Sequence, residues 1–503
     1  MSANPKAGPK EWLGLAVLAL PTLLLSLDIT VLHLGVPHIS AALDPSGTEL
    51  LWIIDVYGFM IAGFLVTMGN LGDRIGRRRL LTAGAAAFGA ASALAAYAPG
   101  PELLIAARTV MGIAGATLMP STLSLISSMF RDPRERGMAI GVWATMFSAG
   151  VALGPVLGGV LLDNFWWGSV FLLGVPIMVL LLAAAPVLLP EFRDPGGGPL
   201  DLPSVALSLT AMLPITYGIK ELPAHGFSAA PAAAILVGIA AGVLFVRRQR
   251  ILEHPLLDLR LFAAPAFRGA LVVLLVSTGA VGGIYLFITQ YLQLVAGQSP
   301  LRAGLWLLPA AGALVVSSLT APLIARRVGA GRTVAASLAV STLGYLLLAQ
   351  VDDGIGLLVT GFVLVYLGVG PTMALGTDLV VGAAPPEKAG AASAVSETST
   401  ELGVALGVAV LGSIGTAIYR RATDGEHETL AEAVTAAGEL PGRAAATVLG
   451  DATAAFTGGL NVTAWIGAAL MAGLVVLAAT TLRSPAQPET EEAPSKEGEA
   501  MPA

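Results

Sequence analysis

The sequence contains no cysteine, and only 12% of its 503 residues are charged, about half of the roughly 25% typical of a soluble domain. Without cysteine, the chain cannot form disulfides, thiol nucleophiles or thiolate metal sites. The scarcity of charge excludes a soluble enzyme and a disordered chain, and the net charge of −6 argues against nucleic acid as a partner. With 55% apolar residues and a mean hydropathy of +0.80, the chain is predicted to be an all-α polytopic membrane protein.

Residues for metal or nucleotide chemistry are also scarce. Of the five histidines, only His33 and His38 lie close together, and their spacing does not place them on one helix face. We therefore expect no metal site. No lysine follows a glycine, so the phosphate-binding Gly-Lys loop of many ATPases is absent. We expect no cofactor and no enzymatic activity.

Long apolar segments are abundant. A helix needs about 20 apolar residues to cross a bilayer, and dividing the chain at charged or Gly/Pro-rich clusters gives fourteen such segments. Their approximate bounds are 12–36, 50–70, 80–98, 102–125, 137–161, 169–189, 201–220, 230–247, 269–290, 303–325, 333–350, 355–381, 391–418 and 459–482. The sequence thus predicts fourteen transmembrane helices.

The distribution of Lys and Arg predicts the orientation. With the N-terminus in the cytoplasm, cytoplasmic segments carry 21 of the 27 Lys and Arg residues, and external loops carry about five. Positive residues accumulate on the cytoplasmic side of membrane proteins. We expect a monomeric, multi-pass protein of the cell membrane with both termini in the cytoplasm.

Polar stretches between the spans suggest domain boundaries. We predict a six-span bundle at 1–190, a linker with two extra spans at 191–250, a second six-span bundle at 251–483, and a disordered acidic cytoplasmic tail at 484–503. The second bundle includes an external loop at 420–460, which has a helix-like pattern near 429–440. The fold class is therefore two six-helix bundles plus two extra spans.

Acids inside predicted spans are informative, because a charge at mid-bilayer costs about 2.5–3.5 kcal/mol on insertion scales. Asp28 lies two-thirds of the way through the first span and has no local partner. Burial favours the protonated form of a carboxyl group, so Asp28 is a candidate for proton exchange. A structural hydrogen bond to a neighbouring helix is the alternative.

Asp55 lies in the second span between two aromatic residues. Trp52, Asp55 and Phe59 have the spacing of residues that share a helix face. We predict that they form a seat for a lipophilic cation, which charge and cation–π attraction would hold. An interfacial aromatic belt with an acid that reaches toward water is the alternative.

Span 13 carries two acids one helical turn apart, Glu397 and Glu401. Two neighbouring acids in a low dielectric are rarely both ionised, so the pair is suited to exchanging a proton for a cation. The alternative is that Glu397 lies in the cytoplasmic headgroup zone and only Glu401 is deep. Asp378, near the inner end of span 12, is a weaker candidate for substrate binding.

Arg108 is the only basic residue that the sequence places deep in a predicted span. An intramembrane arginine needs a carboxylate or carbonyl partner. Because its protonation state is fixed, it can steer a proton but cannot carry one. A fixed structural pair is the alternative.

Two glycine-containing stretches suggest a moving helix interface. In span 5, Gly150, Gly154 and Gly158 leave a bare stripe that permits close helix contact, and Pro155 weakens the helix locally. In the loop after span 2, Asp73 lies among arginines and could form a breakable latch. The residues assigned to a conformational switch are Gly69, Asp73, Arg74, Gly76, Arg77, Gly150, Gly154, Pro155, Gly158 and Gly159.

Three stretches together resemble the signatures of the major facilitator superfamily. Residues 69–81 are similar to its loop 2–3 signature, 150–159 to its antiporter signature, and 104–112 to its span-4 signature, although Met111 replaces the usual glutamine. Residues 27–31 further resemble the fourteen-span drug:proton antiporters. Within that family, the chain is similar to quaternary-ammonium and dye efflux pumps and to actinomycete antibiotic exporters such as the puromycin exporter.

The resemblance implies a major facilitator fold and efflux of lipophilic, mostly cationic drugs, driven by the proton gradient. The partners would be the drug, protons and the lipid bilayer. The alternative is a dedicated self-resistance exporter of one antibiotic or of an endogenous metabolite. The resemblance implies proton or substrate roles for Asp28, Asp55, Glu397 and Glu401, proton steering by Arg108, a latch at Asp73 and Arg74, and a hinge at Gly154 and Pro155.

Overall fold

The computed structural model describes residues 6–191, 193, 201–225, 228–253, 255–352, 354–384 and 388–482. Within these residues, fourteen helices are long and apolar enough to cross a membrane. This confirms the predicted all-α architecture and the number of spans. The predicted disordered tail at 484–503 lies outside the described residues.

The α-helices of the described residues are numbered along the chain. They are α1 (Pro9–Leu43), α2 (Gly47–Ile75), α3 (Arg77–Ala96), α4 (Pro101–Met129), α5 (Pro133–Asn164), α6 (Ser169–Leu172), α7 (Gly174–Leu188), α8 (Leu202–His225), α9 (Ala229–Ile251), α10 (Pro265–Gln290), α11 (Pro300–Val328), α12 (Ala330–Leu348), α13 (Ile355–Gly382), α14 (Ala389–Ala422), α15 (Leu430–Gly438) and α16 (Gly442–Thr481). Together α6 and α7 form one candidate span, and a π-helical turn at Tyr291–Val295 extends α10.

Polar caps explain where several helices begin. At the start of α2, the Ser46 hydroxyl accepts a hydrogen bond from the Glu49 backbone N–H (3.3 Å), and the Glu49 carboxylate accepts one from the Ser46 N–H (2.9 Å). At the start of α5, the Asp132 carboxylate accepts from the backbone N–H groups of Arg134 and Glu135. Such caps satisfy donors that the first helical turn leaves unpaired.

The segment 420–460, predicted as a loop, is mostly helical. Helix α14 continues to Ala422, α15 occupies Leu430–Gly438, and α16 begins at Gly442, well before the predicted span start at 459. The Thr429 hydroxyl caps α15 by accepting from the Glu432 N–H (3.2 Å). Helix α16 is therefore 40 residues long, about 60 Å at 1.5 Å per residue, and extends well beyond a bilayer core.

The helices form two groups, which we call the first half (α1–α7) and the second half (α10–α14 and α16). In the first half α1 packs on α5 and α2 on α4; in the second, α10 packs on α14 and α11 on α13. The halves meet where α2 contacts α14 and where α5 contacts α11. The two extra spans, α8 and α9, pack on each other, and α8 also contacts α2 and α14.

Helix α5 lies against both halves through its glycines. An ideal Cβ on Gly150 would lie 1.9 Å from Oγ of Ser26, and one on Gly154 would lie 1.8 Å from Oγ1 of Thr30, both on α1. An ideal Cβ on Gly159 would lie 2.5 Å from the Cα of Leu301 on α11. Bare glycine backbone thus permits the close packing of α5 with both neighbours.

The halves touch at one end of the bundle. We call the end where α1 begins and α16 ends the terminal end, and the opposite end the distal end. Near the distal end, the Ser299 hydroxyl donates to Asp163 (3.3 Å) and the Gly47 N–H donates to Glu428 (3.1 Å). Toward the terminal end, Gly141 of α5 and Gly312 of α11 lie on the same helix faces as Gly159 and Leu301, because whole numbers of turns separate them. Ideal Cβ atoms on both glycines nevertheless meet no atom within 4 Å. Helices α5 and α11 therefore diverge toward the terminal end.

Glycines with positive φ join helices at the terminal end. Gly76 (φ +112°) links α2 to α3, and Gly329 (φ +89°) links α11 to α12. Residues with a Cβ rarely adopt this conformation, and an ideal Cβ on Gly76 would also lie 2.2 Å from a Glu191 carboxylate oxygen. Each half thus has a glycine-dependent tight turn at the same end.

We predict that Gly154→Ala lowers the free energy of unfolding by about 1–3 kcal/mol, because the added methyl group meets Thr30 of α1. Gly141→Ala is the matched control: it lies on the same helix, is exposed, and adds a Cβ into open space. Thermal unfolding of the purified protein in detergent measures both variants. Equal stability of the two would contradict the close contact between α1 and α5.

Candidate functional site

Asp28 and Arg108 form a buried ion pair between α1 and α4. Arg108 is 1% exposed. Its Nε–H donates to the backbone carbonyl of Ile53 on α2 (3.2 Å), and its guanidinium carbon lies 4.3 Å from the ring centroid of Tyr57. The guanidinium therefore holds three helices of the first half together.

Sequence reasoning predicted a carboxylate or carbonyl partner for Arg108, and the structure gives it one of each. It could not identify Asp28 as the partner, because the two residues lie 80 positions apart and belong to different helices. The pair places a permanent positive charge beside one predicted proton-exchange carboxyl. Arginine remains protonated in proteins, so the charge beside Asp28 does not vary.

A second buried ion pair joins Asp55 of α2 to Lys220 of α8. The Lys220 Nζ lies 2.8 Å from Oδ1 of Asp55, and both side chains are 0% exposed. The expectation that Arg108 is the only deeply placed basic residue is therefore wrong. The predicted span stopped at 220, whereas α8 continues to His225, so that Lys220 lies more than a turn inside the helix.

The aromatic neighbours of Asp55 serve different contacts. The Trp52 ring lies under the Lys220 ammonium, 3.7 Å from the nitrogen to the ring centroid. Phe59 is fully buried and packs against Ala405 and Ala409 of α14. The predicted combination of carboxylate and aromatic face is present at Asp55 and Trp52, and a cation of the protein itself contacts both.

A small cavity joins several predicted site residues where the halves meet. Its volume is about 20 Å³, room for about one water molecule. Side chains of α1, α2, α4 and α14 line it, including His33, Asp55, Arg108 and Glu401. One predicted substrate carboxyl and one predicted proton-exchange carboxyl therefore border the same space. A drug-sized molecule needs several hundred Å³, so the cavity is closed to cargo in this conformation.

His33 is a polar residue of this cavity that sequence reasoning considered only as a metal ligand. Its Nδ1 lies 2.7 Å from the carbonyl oxygen of Ile29, and its ring packs edge-on against Tyr285 of the second half with centroids 5.0 Å apart. Its Nε2 has no hydrogen-bond partner among the described residues. The sequence feature that could have identified His33 as a site residue is its place after Asp28 within the same apolar span.

The remaining acids lie at different depths. Glu401 is buried, and the two buried ion pairs of the described interior do not include it. Glu397, one turn closer to the terminal end, is half-buried, and Asp378 is exposed near the terminal end of α13. The structure thus brings Glu401 to the cavity that Asp55 borders, whereas Asp378 lies at a different level of the bundle.

Gly69, one of the residues predicted for the conformational switch, lies on α2 and faces α4. An ideal Cβ on Gly69 would be in ordinary contact with Pro120.

The predicted latch residues make their contacts within the first half. Arg77 donates its Nε–H to Oδ1 of Asp73 (2.8 Å), and Arg74 is exposed. The Arg78 side chain donates to the backbone carbonyl of Leu189 (3.0 Å), just after α7. The turn between α2 and α3 is thereby tied to the end of α7.

We predict that Arg108→Met lowers the free energy of unfolding by about 3–5 kcal/mol, because it leaves the Asp28 carboxylate buried without its partner. Adding Asp28→Asn to that variant removes the uncompensated charge and should recover part of the loss. Thermal unfolding in detergent of the two single variants and the double variant measures the coupling. If the two single losses simply add in the double variant, the ion pair does not stabilise the fold.

The chain is similar to known transporters along most of its length. A family model described as Major Facilitator Superfamily matches residues 18–408. The multidrug efflux pump LfrA of Mycolicibacterium smegmatis is 44% identical over 487 residues, which cover 94% of this chain and 97% of that protein. The methyl viologen resistance protein SmvA of Salmonella typhimurium is 36% identical, covering 80% and 82%. The puromycin resistance protein pur8 of Streptomyces alboniger is 31% identical, covering 81% and 82%.

A solved structure supports the fold. The bacterial homologue of the human lysosomal transporter Spinster, in an inward-facing and unoccupied conformation, superposes with a TM-score of 0.66 at 15% identity, covering 95% of this chain and 100% of that one. The resemblance predicted from the sequence motifs is thereby confirmed, both for the fold and for similarity to drug-efflux members. The chain belongs to the major facilitator superfamily.

Proposed function

We propose that this protein exports lipophilic, mostly cationic drugs across the cytoplasmic membrane in exchange for protons. The observation that carries the proposal is the cavity between the halves, which Asp55 and Glu401 border together. Carboxyl groups enclosed in an apolar bundle can bind a cation or a proton, and they mark transport pathways in membrane proteins. The relatives named for multidrug efflux and for resistance to methyl viologen and puromycin support this direction and class of cargo.

The conformation fits the first step of such a cycle. With the termini in the cytoplasm, as the Lys and Arg distribution predicts, the separated ends of α5 and α11 face the cytoplasm. Cargo would enter from this side. Closure of the terminal end and separation of the distal contacts would then expose the carboxyl groups to the outside, where protons rebind and release the cargo.

Charge balance determines which gradient drives the exchange. One proton moving inward for one monovalent cation moving outward transfers no net charge, so only the pH difference contributes, at about 1.4 kcal/mol per pH unit. A second proton adds about 2.3 kcal/mol per 100 mV of membrane potential. Two carboxyl groups at one cavity would be able to hold two protons, which suits a cycle that uses both gradients.

The drug-proton exchange can be measured directly in proteoliposomes that contain a pH-sensitive dye. We predict that lipophilic cations such as ethidium drive proton movement in the wild type, and that Asp28→Asn abolishes this movement while the protein is still expressed in the membrane. A panel with puromycin and neutral antibiotics separates a multidrug exporter from one dedicated to a single antibiotic. Undiminished exchange by the Asp28→Asn variant would remove Asp28 from the proton pathway.

A second comparison separates the two candidate regions of the second half. We predict that Glu401→Gln reduces drug-driven proton movement at least tenfold, whereas Asp378→Asn changes it by less than about threefold. Glu401 borders the cavity with Asp55, and Asp378 is exposed near the terminal end. Both substitutions remove one carboxyl charge and keep the side-chain shape, so each serves as a control for the other. The opposite ranking would move the proton site to α13.

A further inference from the structure

Lys220 extends from a peripheral helix into the interior of the transporter. Helix α8 is one of the two extra spans, and most of its described residues are half-buried or exposed. It crosses the boundary between α2 and α14, where Met212 and Leu213 pack with Trp52 near Phe59 and Ala405. From this position, the Lys220 side chain reaches Asp55 and is fully enclosed.

The Lys220 ammonium makes the two contacts that a lipophilic cation would need at this site. It lies 2.8 Å from a carboxylate oxygen of Asp55 and 3.7 Å from the ring centroid of Trp52. The second carboxylate oxygen, Oδ2, is buried and has no hydrogen-bond partner among the described residues. The seat formed by Asp55 and Trp52 is therefore complete, and the protein's own cation occupies it.

Two cations cannot share this seat favourably. Like charges only a few ångströms apart repel strongly in a protein interior, where little water screens them. If the ammonium remained in place, the two cations would also have to share the single carboxylate of Asp55. Binding of a cationic cargo to Asp55 and removal of Lys220 are consequently coupled events.

The position of Lys220 provides a route for its withdrawal. It lies five residues before the distal end of α8 at His225, about 7.5 Å along the helix axis. A lysine carries its charge on a flexible four-carbon stem and commonly extends that charge toward water at a membrane surface. The ammonium could therefore leave Asp55 without unfolding of α8.

We propose that Lys220 is a tethered competitor that occupies the cation seat at Asp55 and Trp52 and determines which cations bind there. A cargo cation must displace the ammonium, so the seat selects cations that gain more from the carboxylate and the aromatic ring than Lys220 does. The first extra span thereby contributes directly to specificity. The proposal rests on the proposed function, because it concerns the same cation site.

Equilibrium binding of tetraphenylphosphonium to the full-length chain in nanodiscs tests the proposal. At neutral pH, Lys220→Met should bind this cation at least about tenfold more tightly than the wild type if the lysine occupies the seat nine-tenths of the time or more. Lys220→Gln can still donate a hydrogen bond to Asp55, and it should also bind tetraphenylphosphonium more tightly than the wild type. This variant replaces Lys220→Met in the test if the methionine variant does not fold. Lys388→Met is the matched control, since Lys388 pairs with Asp258 in a more exposed region.

A second pair of controls separates charge from space. The gain should disappear in the double variant Asp55→Asn with Lys220→Met, and a neutral probe of similar size, triphenylphosphine oxide, should bind wild type and Lys220→Met alike. A gain that persists in the double variant, or that extends to the neutral probe, would mean that the substitution only enlarged a cavity. Unchanged or weaker tetraphenylphosphonium binding by both Lys220→Met and Lys220→Gln would also overturn the proposal.

Amine labelling of the wild type provides a measurement that needs no variant. Tetraphenylphosphonium should increase the modification of Lys220 several-fold, measured by mass spectrometry relative to Lys388. No increase at a saturating concentration would contradict displacement. These binding measurements do not need a proton gradient, so they test Lys220 separately from transport. A wild type that shows no drug-driven proton movement would refute the proposed function. Intact exchange together with unaltered binding in the Lys220 variants would refute only the role of Lys220.

Discussion

The interior of this transporter depends on the pairing of charges that an apolar bundle cannot leave isolated. An unpaired charge costs several kcal/mol in such surroundings, and the two buried ion pairs each solve this problem across helices. Asp28 and Arg108 join α1 to α4, and Asp55 and Lys220 join α2 to the extra span α8. The pairs thus decide which helices must stay together, and they place the Asp55 carboxyl group and the Arg108 guanidinium beside the cavity between the halves.

Contact between the halves has a different physical basis, since it uses bare backbone and small side chains. Gly159 of α5 lies against Leu301 of α11, and Gly58 of α2 lies against Ala405 of α14 with an ideal Cβ separation of 3.2 Å. Small residues permit close approach without the deep interdigitation of large side chains. Such surfaces can separate at the distal end and re-form at the terminal end at small cost, whereas the ion pairs keep the helices of the first half and α8 in register.

The sequence predicted the fourteen spans well because bilayer thickness and apolar length are local properties that a continuous segment must satisfy. It also identified Asp28, Asp55, Glu401 and Arg108 as residues that need an explanation, since each is a charge in an apolar run. The partners of Asp28, Asp55 and Arg108 required the tertiary structure, because Arg108 meets a carboxyl from another helix and Lys220 comes from a span predicted to end at that residue. Glu221 and Pro223 follow Lys220 directly and indicate the end of a span, whereas the helix continues to His225.

The two cations at the site differ in how firmly they are held, and this difference suggests a division of labour. Arg108 has a carboxylate, a backbone carbonyl and the face of Tyr57 as partners, and a planar guanidinium uses several directed donors at once. Lys220 is a single point charge held by one carboxylate oxygen and one ring. Displacing Arg108 would break contacts to both α1 and α2, whereas displacing Lys220 breaks contacts to α2 alone. Arg108 is therefore the fixed charge around which the carboxyl groups are arranged, and Lys220 is the charge that an incoming cation can replace.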